Sequence, residues 1–165
     1  MAREDDVRRI AEQEKALVFE AFDEAVAFRL GVTIRDLALA RGLGIATEIR
    51  TGLRPLFYAA LPGSTADNAN WLRRKSNLVH LVYKSSYRVV LEKTHPEDYF
   101  LPRRGLDNAD YAYAGGGFPI WVRSAGMIGS VCVSGLPERE DHNLVVEALC
   151  QVIGADHAAL ALSPA

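Results

Sequence analysis

Gly115-Gly116-Gly117-Phe118-Pro119-Ile120-Trp121-Val122-Arg123, Ser124-Ala125-Gly126 and Met127-Ile128-Gly129-Ser130-Val131-Cys132-Val133-Ser134-Gly135, followed by a helical run to Ile153, form the stretch that decides how this chain folds. It reads as a glycine-rich approach, a β-hairpin, and a strand that delivers the backbone into a helix start. Alternation places Phe118, Ile120 and Val122 on one strand face, and Met127, Val131 and Val133 on one face of the next. The helix that follows carries Val145, Val146, Leu149, Val152 and Ile153 as a buried stripe. Free N–H groups and glycine at such a strand–helix junction permit close approach of a ligand.

Working outward, Ile45-Ala46-Thr47-Glu48-Ile49, a turn at Arg50-Thr51-Gly52 and Leu56-Phe57-Tyr58-Ala59-Ala60 predict a second hairpin, with Pro55 at the start of its second strand. Ser64 and Asp67 have capping-box spacing and open a helix bearing Trp71, Leu72, Leu78, Val79 and Val82. That helix is expected to continue, kinked, through Ser85 to Leu91. Upstream, Asp23 is the candidate N-cap of a helix carrying Val26, Ala27, Leu30, Ile34, Leu37 and Ala38, closed by Gly42. Gly31 lies inside it at a cost of about 1 kcal/mol, so a break is expected there. Residues 4–17 read as a charged helix whose thin stripe (Val7, Ile10, Ala11, Leu17) suits the covering of an edge or a subunit contact. Residues 94–114 show no period. They read as a lid, an interface arm or a plain loop.

Helix–helix–hairpin–helix–hairpin–helix order predicts one α+β domain: an antiparallel sheet flanked by helices, over residues 23–160, with residues 1–22 as an N-terminal helical extension. Apolar content of 49% and charged content of 24% match a soluble globular chain. A formal net charge of −2 offers nothing to nucleic acid or an anionic membrane. The start of the chain lacks the apolar core of a signal peptide, and no stretch approaches the ~20 residues of a membrane span. Cys132 and Cys150 lack metal-ligand spacing and read as reduced structural thiols. A cytoplasmic location is therefore expected.

Gly115-Gly116-Gly117-Phe118-Pro119-Ile120, then Gly126 to Gly135 and Asp141, resembles the C-terminal half of the heme-degrading (GlcG/HbpS-like) domain family. The likeness is closer to that superfamily's uncharacterised branch in bacteria and yeasts. That branch shares patterns like Leu56 to Gly63 and Asp67-Asn68-x-x-Trp71-Leu72-x-Arg74-Lys75. These motifs span most of residues 43–153. The resemblance implies a profilin-like sandwich, symmetric homo-oligomers, and heme binding or degradation among relatives in the wider family. Several branch members carry a histidine before the glycine pair, where this chain has Ala114, so an axial ligand there is lost.

Two readings of function follow. In the first, Lys75, Gly116, Gly117, Ser134 and Gly135 line a pocket for a small carboxylate-bearing molecule, heme being the candidate cofactor that the resemblance implies. Lys75 is the member of Arg73-Arg74-Lys75 that turns inward, one turn from Trp71 and Leu78, where it acts as counter-charge, snorkels, or pairs with Glu48 across a subunit contact. His142 is the candidate axial or polar ligand. No His-x-x-x-His or Cys-x-x-Cys pattern supports a metal site. The acidic first turn of the last helix (Glu138, Glu140, Asp141) argues against phosphate. The glycines also have a purely conformational use, and Ser134 a use as a helix cap. In the second reading the chain is a non-catalytic homo-oligomeric assembly module, with Phe118 and Trp121 serving subunit packing. A cleft holding Lys75 and the Ser134-Gly135 turn favours the first; a filled one favours the second. A hydrolase assembled from distant serine and histidine is a third, weaker alternative.

Overall fold

The computed structural model describes residues 2–93 and 104–164. Helix α1 (Ala2–Ala16) leads through β1 (Val18–Phe19) to α2 (Glu24–Ala40). The hairpin β2 (Ala46–Thr51) and β3 (Arg54–Ala60) precedes α3 (Ala66–Val82) and α4 (Ser86–Glu92). The hairpin β4 (Gly117–Val122) and β5 (Gly126–Ser134) precedes α5 (Glu138–Ile153) and the short α6 (His157–Leu160). The strands form one sheet in the order β1-β4-β5-β2-β3. The four long strands pair antiparallel, and β1 adds a parallel edge, Val18 and Phe19 lying opposite Trp121 and Val122. The sheet is therefore mixed, within the expected α+β single-domain architecture.

Asp23 caps α2 by accepting from Val26 N–H at 2.9 Å. Contrary to expectation, α2 runs unbroken through Gly31. A Cβ at Gly31 would fall inside the Phe57 ring of β3, so packing, not a kink, requires glycine. The capping box of α3 is Thr65 with Asn68 rather than Ser64 with Asp67. Asn68 Oδ1 accepts from Thr65 N–H at 2.8 Å. Nor does α3 run on with a kink: Tyr83 takes the left-handed conformation at φ 58° and ends it, and Ser85 caps a separate α4.

The main core lies between the sheet and helices α2 and α5. Ile49, Phe118, Ile120, Val131 and Val133 meet Leu30, Ile34, Val145 and Leu149 there, all buried. The segment 1–22 packs onto the rest of the chain through polar groups its thin stripe does not reveal. Buried Gln13 donates to Leu160 O at 2.8 Å, and buried Glu14 accepts from Ser85 N–H at 2.8 Å. Of residues 94–114, the part up to 103 lies outside the described residues. From 108 to 111 the loop is held against α3, Arg73 donating to Asp110, Arg74 to Asn108 O, and Asn77 to Asp110 O.

Candidate functional site

Two core faces of different chemistry result from strand alternation. Ala46, Glu48 and Arg50 of β2 lie opposite Ser134, Cys132 and Ser130 of β5. Arg50 and Ser130 reach side chains of α3, and Ala46 and Cys132 pack with its Leu72. A strand covered by helices on both sides usually reads apolar on both faces. Here the α3 side is polar. Burying such groups is tolerable only when they are paired, and they are. Arg50 Nε donates to Ser76 Oγ at 2.6 Å, and Ser76 Oγ lies 2.6 Å from Ser130 Oγ. Lys75 Nζ donates to Asp141 Oδ2 at 2.9 Å and to Val133 O at 3.0 Å.

The Lys75–Asp141 pair is the floor of a cleft of about 250 Å³ between the N-terminal half of α3 and the β5–α5 turn. Its walls are Asp67, Asn68, Trp71, Ala114, Ser134, Gly135, Leu136 and Glu138. The side chains of Lys75 and Asp141 are 4% and 2% exposed, so the pair is desolvated. Burial pushes the Asp141 carboxyl up to about 6, while Lys75 and the N–H groups of Leu136 and Gly135 pull it back. Asp141 Oδ1 accepts from Leu136 N–H at 2.9 Å and so ties the β5–α5 turn to α5, whose N-cap Pro137 makes no side-chain bond. Ser134 does not cap α5. Its hydroxyl oxygen instead accepts from Asn68 Nδ2 at 3.2 Å.

Of the residues singled out from sequence, Lys75, Ser134 and Gly135 line this cleft. Gly116 and Gly117 stand behind its floor. Gly116, at φ +122°, lies where a Cβ would strike Val133 O and crowd Lys75 Nζ. Gly117 N–H donates to Ser86 Oγ at 2.9 Å. Within the chain Lys75 pairs with Asp141. His142 is absent from the lining: it is fully buried, with Nε2 2.8 Å from Gln13 Oε1 and its ring against Tyr87 and Phe118. Burial holds its pKa down at about 3, so it is neutral at pH 7. Asp141 was legible only as the acidic residue of the family pattern. Asp67, Asn68 and Trp71 were legible only as members of the branch pattern and Glu138 as part of an acidic first turn; tertiary structure gathers them.

Among the described residues no group of three or more His, Cys, Asp or Glu is arranged to hold a metal ion. Ser76 Oγ lies 3.4 Å from His80 Nδ1, but that ring nitrogen carries the proton, since Nε2 is the acceptor, and it is no base toward the hydroxyl. His80 Nδ1 lies 2.8 Å from Ser76 O, and its Nε2 accepts from Gly52 N–H at 3.2 Å, so no carboxylate orients the ring. Burial pushes the Cys132 thiol up to about 12, leaving it unreactive. No helix among the described residues is long and apolar enough to cross a membrane.

Comparison with known proteins places these features in context. Residues 22–150 match the family described as "Haem degrading protein HbpS-like". UPF0303 protein mlr5144 of Mesorhizobium japonicum is 53% identical over 163 residues, covering 99% of this chain and 98% of the relative. UPF0303 protein BMEA_A1459 of Brucella melitensis is 53% identical over 169 residues, covering all of both chains. Among solved structures, the Ybr137w protein superposes with a TM-score of 0.80 at 25% identity, covering 91% of this chain and 89% of that one. A PduOC:heme complex gives 0.68 at 14% identity, covering 83% of this chain and 98% of that one, a likeness of fold.

Proposed function

This chain belongs to the HbpS-like family of heme-degrading proteins, and we propose that it binds a small ligand in the cleft between α3 and the β5–α5 turn. The observation that carries this is the convergence of Lys75, Ser134, Gly135 and Asp141 on one open concavity with an aromatic wall, Trp71. A side-chain-filled seam would have favoured the assembly reading.

Heme does not fit the cleft as one chain builds it. Its volume, about 250 Å³, is below the ~300–1,000 Å³ usual for small-molecule sites. Among the described residues its lining contains no His, Cys, Met or Tyr to ligate iron. Three carboxylates, Asp67, Glu138 and Asp141, oppose a propionate, and Lys75 is already taken by Asp141. A carboxylate-bearing ligand would have to displace Asp141. The groups facing the space are instead exposed Asp67 and Glu138, the Ser134 hydroxyl, which accepts from Asn68 and keeps its own O–H, and Trp71, whose ring stacks with the Arg74 guanidinium. They suit a compact amine or hydroxyl-bearing molecule.

A thermal-denaturation screen tests this, with small amines, polyols and matched carboxylic acids on the parent, Asp67→Asn and Glu138→Gln. Stabilisation by amines or polyols, reduced in both variants, is expected. A parallel hemin titration should show gradual, non-saturating absorbance change. Saturable one-to-one hemin binding, weakened by Ser134→Ala, would overturn this ligand class in favour of heme.

Self-association belongs to the same proposal. Strand β3 is a sheet edge, and Phe28 and Tyr58 beside it are 61% and 48% exposed, which suits pairing with a second copy. Light scattering on the parent and on Phe28→Asp tests it: an oligomer that dissociates in the variant is expected, and a monomeric parent refutes it.

A further inference from the structure

Arg50 is a second buried cation, and the first cleft does not use it. It is 8% exposed, yet it lines a separate cleft of about 250 Å³ at the other end of α3, with Gly52, Leu53, Asn77, His80, Leu81 and Tyr111. A guanidinium presents two edges to partners. The side edge is taken: Nε donates to Ser76 Oγ and Nη2 to Asn77 Oδ1, each at 2.6 Å. These two α3 side chains hold the plane in one orientation. The end edge, Nη1 with the second N–H of Nη2, has no counterpart among the bonds to α3.

The surrounding charge leaves that edge positive. Among the described residues, no acidic one lines the cleft. Glu48, the acid next to Arg50 on the same face, comes no closer than 4.0 Å, beyond hydrogen-bond reach; burial raises its carboxyl pKa while the Arg50 charge lowers it. His80 supplies no competing cation, since burial, with a contribution from Arg50, lowers its pKa. The mouth of the cleft is apolar: Leu53 is 91% exposed and Leu81 47%. An oriented, desolvated guanidinium beneath two exposed leucines is complementary to an anionic head with a short hydrocarbon tail.

We propose that the Arg50 cleft binds a small aliphatic carboxylate, its oxygens on the end edge of the guanidinium and its tail along Leu53 and Leu81. Carboxylate is favoured over phosphate because one guanidinium balances one negative charge and the mouth of the cleft is apolar. This site stands independently of the Lys75–Asp141 cleft.

The test uses the full chain and follows the Arg50 Nε–H resonance by NMR during titration with hexanoate, acetate, hexylamine and inorganic phosphate. Hexanoate should shift that resonance and the Gly52 and Leu53 amides saturably below roughly 10 mM. Acetate should bind at least about tenfold more weakly, having lost its buried methylenes. Hexylamine should leave the signals unmoved. Leu53→Asp, on an exposed turn residue that the fold does not need, should weaken hexanoate at least about fivefold by placing a like charge at the mouth. Arg50→Lys, which keeps the charge without the fork, should abolish saturation; if that variant does not fold, Leu53→Asp decides alone. Equal shifts from hexanoate and hexylamine, unchanged hexanoate affinity in Leu53→Asp, or saturation by phosphate but not hexanoate would each overturn the proposal.

Discussion

Replacing Lys75 with methionine keeps most of the side chain's volume and removes its charge, leaving Asp141 in a nearly water-free site with no opposite charge. At 2.9 Å, with an effective dielectric of about 20, the attraction lost is about 6 kcal/mol. The variant recovers the desolvation of the ammonium, so the net cost is smaller, about 3–5 kcal/mol, as for other buried pairs broken on one side. Val133 O also loses its donor, which adds to the cost. Against a total stability of roughly 5–15 kcal/mol, this is at least about a fifth of the fold.

The pH dependence carries the diagnostic sign. Asp141 already has a raised folded pKa, about 6 against 3.8 unfolded, so the folded state binds its proton more readily and gains stability as pH falls through that window. Removing Lys75 deletes the main charge holding that carboxyl down, so the window moves upward. The destabilisation of Lys75→Met should therefore be largest near pH 7.5 and shrink toward pH 5. Urea denaturation of parent and variant across that range measures it, and Lys75→Met/Asp141→Leu should recover much of the loss. A cost below about 1 kcal/mol at pH 7.5, or one flat with pH, would falsify the picture of a dry pair and imply that water reaches it.

Other outcomes follow from the same structure. His142 is buried neutral, with a folded pKa of about 3 against 6.5 unfolded, so its contribution is lost as pH falls below 6.5; about 2–3 kcal/mol should be gone by pH 4.5. His142→Gln should flatten that limb of the denaturation profile, and a profile parallel to the parent's refutes the assignment. Gly31→Ala should destabilise by about 1–3 kcal/mol, against the usual helical preference for alanine, because its methyl meets the Phe57 ring. Phe57→Leu should relieve that penalty in a double-mutant cycle. Thr65→Ala should cost about 1 kcal/mol through the lost α3 cap, measurable as a lower urea midpoint with unchanged slope.

Local pattern was enough for the elements that bury one continuous apolar stripe. The alternation of Phe118, Ile120 and Val122, and the period of Val145, Val146 and Leu149, are properties of neighbouring residues and survive without knowledge of partners. The same reasoning turned Lys75 inward, because helical geometry allows only part of a three-residue basic run to face solvent. It misassigned the break at Gly31 and the α3 cap because each depends on an atom elsewhere: the Phe57 ring in one case, the Asn68 side chain reaching back in the other. It also missed β1, since two residues have no period of their own and are strand only through their pairing with Trp121 and Val122.

The sequence by itself determined an α+β domain, its two hairpins, the inward lysine and the glycine-rich approach to the last strand, since each follows from short-range sterics and hydrophobic period. Tertiary structure alone decided which charge meets which. Asp141 takes Lys75 across 66 positions and the Arg50 fork is held by α3, while His142 is drawn toward Gln13 and away from the cleft. Those outcomes rest on desolvation and distance in three dimensions, quantities that a linear pattern does not encode.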